Sequence, residues 1–500
     1  IDRFPDPTAS ASITYNPSLE DLRSFSAAME TSTEFGSPAY VSEFRSRSAD
    51  QTANSIDNEI GDADWTRIGR AHDRLDSEEM LCLDRQLGRH SELSFTCRLY
   101  IPKEYARVAL SWATLLEPAE GNPDFVTLQL PEADGPMIRV FPDDGVTYVL
   151  GSDYTGEAKK SFLRLFMYRA KQLGGLGLHA GTKRLQLVES GTTRTIGQLF
   201  LGLSATGKTT LTCHGFGLQP PEGMELLQDD VCAMLPDGTV AGSEGGGLYI
   251  KTIGLSAEHH ASLYDAATAE SAVLENVTVD RDGQVDFHDG SLTTNGRASI
   301  RRKDLPHAAD DIDLECPDHV FFITRNPLMP PIATLSPTEG AAAFMLGESI
   351  QTSAGDPEKA GESIRVVGTN PFIIGSRGAE GNRFLELIRK NDIACFLLNT
   401  GEVGRDGIDI GVQETVTLIN GVARETIEWT TDDHLELTIP EHVPGIDISE
   451  YYPPDHVRDF DEALAGLRSE RSEYLSQFED LDDTIIGSTL ATPVGRARSE

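Results

Sequence analysis

Short apolar runs separated by Gly, Pro and Asp turns set the pattern of this chain. Leu93–Leu99, Val108–Leu115, Phe125–Leu130 and Met137–Phe141 alternate or cluster apolar residues and read as short strands with some helix. Ala158–Leu173 places Phe162, Leu165, Phe166 and Arg169 at helical spacing, so a helix is predicted from the paired lysines onward. Leu176–His179 reads as a short strand. Lys183–Val188 and Thr195–Leu201 read as a hairpin turned by Glu189–Arg194. Leu226-Leu227 starts a run that stops at Asp229-Asp230. The RDG and HDG triplets at 281–283 and 288–290 read as hairpin turns. Val320–Thr324 and Ile393–Asn399 read as core strands, and 352–362 as an exposed loop. Asp455–Leu481, with Val457, Phe460, Leu464, Leu467, Tyr474 and Phe478 among charges, reads as an amphipathic helix. No internal repeat is present. Strands with helices between them give an α/β class, and the many short strands predict mixed sheets instead of one doubly wound sheet.

Composition narrows the picture. A chain of 500 residues suggests two or three domains. Acids outnumber bases 80 to 42, for a net charge of −38, and only 10 of the bases are lysines. The excess runs along the whole chain, which predicts a solvated surface kept soluble in high salt. No basic patch is visible, so nucleic-acid binding is disfavoured. The six cysteines show neither a C-x-x-C pair nor regular spacing, which argues against a zinc site or a disulfide framework and for a reducing compartment. No run approaches bilayer-spanning length, and IDRFPDP carries no secretory-signal features, so a cytoplasmic protein without a membrane partner is expected.

The densest chemical signal is Gly202–Thr210 (GLSATGKTT), which follows the apolar run Ile196–Leu201. Gly202, Gly207, Lys208 and Thr209 satisfy G-x-x-x-x-G-K-[ST] between a predicted strand and a predicted helix. Glycines let successive N–H groups face one concavity, the helix start adds partial positive charge, Lys208 reaches the outer phosphates and Thr209 offers an oxygen to Mg²⁺. Cofactor contacts are therefore predicted from Gly202, Leu203, Ser204, Ala205, Thr206, Gly207, Lys208, Thr209 and Thr210. An acid at the end of a nearby buried strand, as at Asp229-Asp230, is a position from which metal is gripped, although the pair also reads as a turn. Lys159-Lys160 reads either as solvated helix-start lysines or as part of an anion site, and His179 either as a core histidine or as a ligand.

Taken in order, Y-x-G-E-x-K-K (Tyr154–Lys160), G-L-x-x-H ending at His179, the P-loop and Asp229-Asp230 resemble the ATP-dependent phosphoenolpyruvate carboxykinases. Glu244-Gly245-Gly246 with Tyr249–Ile253, Leu274–Val279, Asp286–Ser291, Asn295-Gly296-Arg297, Pro330-Pro331, Leu398–Gly401 and Pro444–Asp447 continue the resemblance over about residues 150–450. Ser46–Asp50 resembles a degraded form of an upstream family segment.

The resemblance implies conversion of oxaloacetate and ATP to phosphoenolpyruvate, ADP and CO₂ with two divalent ions, a gluconeogenic reaction. It implies an N-terminal α/β domain over 1–175, a P-loop mononucleotide-binding domain over 176–485 and an active site in the cleft between them; residues 486–500, past the amphipathic stretch, read from the sequence as a disordered tail. Lys160, His179 and Asp230 would hold Mn²⁺. Thr209 would hold the Mg²⁺ that accompanies ATP, with Asp229 orienting its waters. Arg47 and Arg297 would clamp substrate carboxylates and the moving phosphoryl group, beside Lys159, Tyr154 and Ser204. Partners would be small molecules only, in a monomer or small homo-oligomer.

Three departures stand out. The adenine-contacting basic residue expected just before Ile408–Ile410 is displaced or absent in Gly404–Gly407. Asn370–Gly378 replaces a differently composed family segment, where Arg377 reads as either an anion contact or a surface residue. Ala205 stands where the family loop has glycine. A P-loop kinase with another acceptor and a catalytically idle nucleotide-binding protein are the alternatives.

Overall fold

The computed structural model describes residues 1–45, 48–203, 206–350, 363–404 and 407–491. By its internal contacts the chain divides into two compact units. One is Ile1–Arg169 with Ala241–Ile312, the other Ala170–Val240 with Asp313–Glu500. The return of 241–312 to the first unit has a specific cause. Strand Val273–Glu275 pairs in parallel with Pro38–Tyr40, Leu274 opposite Ala39, and Arg297–Arg301 pairs with Val273–Glu275 and Gly247–Lys251.

The first unit is built on an eight-stranded mixed sheet. Its spine is the antiparallel hairpin Met80–His90 and Leu93–Pro102, flanked by parallel Phe125–Leu130 and then Val146–Leu150. Phe125–Leu130 is buried at every position because both faces are covered. Val126, Leu128 and Leu130 meet Ile68, Ala71 and Leu75 of helix Asp62–Ser77, spaced i, i+3, i+7. On the other face Phe125 packs on Phe95, which stands edge-on to Phe166, and the Thr127 hydroxyl bonds that of Ser161. Phe166 and Ser161 lie on helix Thr155–Gln172, so the predicted helix exists and starts before the paired lysines. Val108–Leu115, read among the strands, belongs to helix Ala106–Thr114.

The second unit has its own eight-stranded sheet with three parallel central strands, Thr192–Gly202, His319–Thr324 and Ala394–Asn399. Phe200, Phe321 and Phe396 are in register across them, with centroids 5.2 and 5.3 Å apart and near-parallel rings. The predicted hairpin is longer than its apolar runs, Ala180–Glu189 against Thr192–Gly202. Its turn is only Ser190-Gly191, with φ of +50° and +82°, the positive pair that suits the twist of a two-residue hairpin. All three parallel strands end on one edge, at Gly202, Thr324 and Asn399, the edge at which ligands bind open α/β sheets.

The RDG turn links the paired strands Thr278–Val279 and Val285–Asp286. The HDG segment instead closes side-chain turns through Asp286 and Asp289. The C-terminal helix runs Phe460–Leu475, shorter than its pattern, and Asp459 with a left-handed φ of +54° bounds its start. Residues 486–491 continue the packing, with Leu490 and Ala491 buried. None of the six cysteines is joined in a disulfide, and no described helix is long and apolar enough to cross a membrane.

Candidate active site

The P-loop occupies the carboxyl edge of the second unit's sheet. Strand Thr192–Gly202 ends at the first motif glycine, and Thr206 returns the chain by donating to the Leu203 carbonyl, 3.3 Å from its N–H and 2.8 Å from its hydroxyl. Gly207 has φ +102°, a conformation that a side chain would strain. Lys208, Thr209 and Thr210 form the first turn of helix Lys208–Cys213. Thr400, just past the third parallel strand, donates its hydroxyl to the Thr206 carbonyl at 2.8 Å and pins the loop to the sheet. Ser204 and Ala205 lie outside the described residues.

Strand Gly223–Gln228 delivers the two aspartates. The Thr209 hydroxyl donates to Asp229 Oδ2 at 3.0 Å. Asp230 takes φ +81°, unusual for a residue with a side chain, and its Oδ1 lies 3.5 Å from Lys208 Nζ and 3.0 Å from His179 Nε2. His179, at the junction of strands Leu176–Leu178 and Ala180–Glu189, sets Nδ1 2.8 Å from the Thr369 carbonyl oxygen. That oxygen only accepts, so Nδ1 donates to it and Nε2 is the nitrogen turned to Asp230. Burial, followed by the charge of Lys208, lowers the His179 pKa, with Asp230 acting the other way. An imidazole nitrogen and a carboxylate oxygen, two groups that can bind a cation, therefore face each other.

The spacing fits one. Two ligands about 2.1 Å from an octahedral ion and at right angles stand about 3 Å apart. Imidazole nitrogen with carboxylate oxygen suits a divalent first-row metal or Mg²⁺. The second unit thus brings together Lys208, Thr209, His179, Asp229 and Asp230 as the sequence predicts.

The first unit gathers the other predicted residues. Tyr154 is fully buried, and its hydroxyl accepts from Asn295 Nδ2 at 3.2 Å. Arg297 donates to Asn295 Oδ1 at 2.9 Å. Lys159 Nζ pairs with Glu244 at 3.1 Å, both buried. The Tyr249 ring has the Lys159 ammonium 5.8 Å and the Arg297 guanidinium 5.4 Å from its centroid. Its hydroxyl donates to Glu275, which also accepts from the Thr155 N–H and hydroxyl. Burial, then Glu275, raises the Tyr249 pKa well above its usual value. Burial, then Arg297, pushes the Lys251 ammonium down to about 8. Cations crowd here in a chain with few lysines, as a polyanion site requires. Lys160, on the same helix as Lys159, is half-buried.

Arg47 lies outside the described residues, but its flanks are fixed. Glu43 and Phe44 N–H groups donate to Asp153 at 2.9 Å each, and Ser48 N–H donates to Glu157 at 2.6 Å. The segment is thereby tied to the turn that opens the Lys159–Lys160 helix. Arg405 and Asp406 also lie outside the description, as does the predicted loop 352–362. Arg377 is exposed at the first turn of helix Arg377–Lys390. Sequence reasoning did not single out Asn295, Tyr249, Glu275, Thr369 or Thr400. All but Thr369 stand inside the ordered motifs, which was their available signal. Thr369 acts through its backbone carbonyl, which no side-chain pattern encodes.

The model of the phosphoenolpyruvate carboxykinase family matches residues 39–449. A protein named phosphoenolpyruvate carboxykinase (ATP) from Aeropyrum pernix is 34% identical over 481 residues, covering 93% of this chain and 95% of that relative. Proteins of the same name from Mesorhizobium japonicum and Rhodopseudomonas palustris are 29% and 31% identical over 358 and 313 residues, which cover 69% and 60% of this chain. The chain spans 64% and 55% of those two relatives' lengths. With its P-loop intact and 411 of its 500 residues matched, this chain belongs to the phosphoenolpyruvate carboxykinase (ATP) family.

Proposed function

We infer that this chain converts oxaloacetate and ATP to phosphoenolpyruvate, ADP and CO₂. The observation that carries the reading is the family match, made over a chain whose P-loop lysine and His179 both reach Asp230 and whose Thr209 hydroxyl bonds Asp229. That match does not favour the two alternatives, another phosphoryl acceptor or an idle nucleotide binder.

When bound, two divalent ions would supply positive charge against the triphosphate and the enolate oxygen. His179 and Asp230, joined by Lys160, are proposed to hold Mn²⁺, and Thr209 the Mg²⁺ of MgATP, with Asp229 as its hydrogen-bonded support. Lys208 follows the γ-phosphate. Ser204 and the backbone of Gly202–Thr210 cradle the phosphates. Arg47 and Arg297 hold the substrate carboxylates, because a fork of donors matches a planar anion. Lys159 adds charge, and Tyr154 bounds the substrate on the face where CO₂ departs.

Loss of CO₂ leaves its bonding electron pair on the substrate as an enolate. The enolate oxygen then attacks the γ-phosphorus in line, and ADP leaves. The enolate already exists when attack begins, so no general base is needed. The residues contribute positioning and charge neutralisation. The acidic surface is proposed to serve solubility at high salt.

The test is phosphoenolpyruvate formation by the purified chain in high salt, with oxaloacetate, nucleotide and Mn²⁺ omitted in turn and GTP exchanged for ATP. Product is expected only when all three are present, with ATP preferred. Folded protein that forms none with either nucleotide overturns the reading.

A further inference from the structure

Strand Ala180–Glu189 begins beside His179 and carries a lysine that the reaction does not use. Lys183 is fully buried and faces the helix that the P-loop opens. Its Nζ donates to the Leu211 carbonyl at 2.5 Å and the His214 carbonyl at 3.3 Å, at and just beyond the last turn of helix Lys208–Cys213. The same nitrogen lies 3.2 Å from the Phe216 ring centroid and 5.1 Å from that of Phe200. Phe216 reaches it from a left-handed φ of +55°. Burial pushes the Lys183 pKa well below its usual value, so a lysine here costs stability unless its donors are used. They are used on carbonyls that the end of a helix otherwise leaves without partners, where a cation also complements the helix dipole.

The helix needs such a tether. Six residues are too few for a helix to hold its place by its own hydrogen bonds. Two features on the strand bear on its seat. At Gly181 the Thr212 side chain lies so close to the strand backbone that a Cβ would stand 2.1 Å from the Thr212 hydroxyl. Lys183 is the second. At the other end of the same six residues stand Lys208 and Thr209, bonded to Asp230 and Asp229.

We propose that Lys183 is a positioning residue for the nucleotide site. It fixes the P-loop helix on the strand that leads from His179, and so sets where Lys208 and Thr209 meet the triphosphate. The inference rests on the nucleotide-site reading above.

The test uses the full chain and two substitutions, with MgATP as the probe. K183M keeps the length and removes the donors, whereas K183Q keeps two N–H groups. K183M is expected to lower kcat/KM for MgATP about 10- to 100-fold, the cost of a small misplacement of catalytic groups, with KM for oxaloacetate unchanged and part of the loss recovered in K183Q. A lowered Tm with unaltered MgATP kinetics in folded K183M overturns the proposal. Should K183M not fold, G181A carries the test, since it displaces the same helix. An ATP-selective loss is expected there, and unaltered MgATP kinetics in folded G181A is the overturning result. A wild-type chain that forms no phosphoenolpyruvate, yet loses calorimetric MgATP affinity in K183M, counts against the proposed reaction and supports this inference.

Discussion

His179 Nε2 and Asp230 Oδ1 face each other at 3.0 Å, and the Thr369 carbonyl fixes the imidazole hydrogen on the far nitrogen. Neither facing atom has a hydrogen to offer while the imidazole is neutral. On the proposed role of this pair in holding Mn²⁺, H179Q and D230N should each raise the Mn²⁺ concentration needed for half-maximal activity by about tenfold or more. Calorimetric binding of MgATP should change far less, because Lys208, Thr209 and the loop backbone remain. Equal loss of both would contradict the assigned roles.

Thr209 and Asp229 form a second, separable pair. T209V keeps the side-chain volume and removes the hydroxyl that donates to Asp229 at 3.0 Å. The expected result is a fall of about 10²-fold in kcat/KM for MgATP, with little change in KM for oxaloacetate. Steady-state kinetics with each substrate varied in turn makes the comparison.

Glu348 gives the pH dependence. It is buried against Arg471 at 2.6 Å and Arg365 at 2.8 Å, and also accepts from Asn326. Burial works to raise its pKa, but Arg471 and then Arg365 outweigh that and hold it below the usual value of 4.5. A carboxyl with a depressed folded-state pKa adds stability above its unfolded value, and that stability is lost as pH falls through the folded value. E348Q leaves the buried Arg471 and the part-buried Arg365 guanidinium groups facing an amide, at a cost of about 3 kcal/mol near pH 7. The Tm gap between wild type and E348Q should narrow as pH drops below about 4.5. A gap that stays constant down to acid unfolding would contradict the assignment.

Net charge makes a bulk prediction. At −38 the folded chain repels itself, and raising KCl from 0.1 to 1 M shortens the screening length from about 10 to about 3 Å. Tm should rise over that interval by calorimetry. A flat or falling Tm would count against salt adaptation.

What was legible in the sequence follows from how local each signal is. The P-loop hairpin could be read because its strand, glycine turn and helix are contiguous, and its apolar run is buried as one block from Ile196 to Gly202. The pairing of 241–312 with the first unit left no such trace, since the parallel match of Leu274 with Ala39 joins residues far apart in sequence. Helix Ala106–Thr114 is only nine residues long and buried at every position, so its short apolar run is hard to tell from a buried strand. Of the site, the charged and hydroxyl side chains were visible, and Arg297, Lys159 and Tyr154 fell within ordered motifs. Lys183 was not, because a lysine in a strand reads as an exposed residue until the rings and carbonyls around it are known. The Thr369 contact was hidden for a different reason, as it is made by backbone.

The central claim is that the γ-phosphoryl group of ATP moves to the oxygen left by decarboxylation of oxaloacetate. The most direct measurement incubates the purified chain with ATP labelled in its γ-phosphate, oxaloacetate, Mg²⁺ and Mn²⁺, and follows the label. Label should appear in phosphoenolpyruvate, one equivalent per ADP formed and per CO₂ released. Label that appears only in inorganic phosphate or on protein would contradict it.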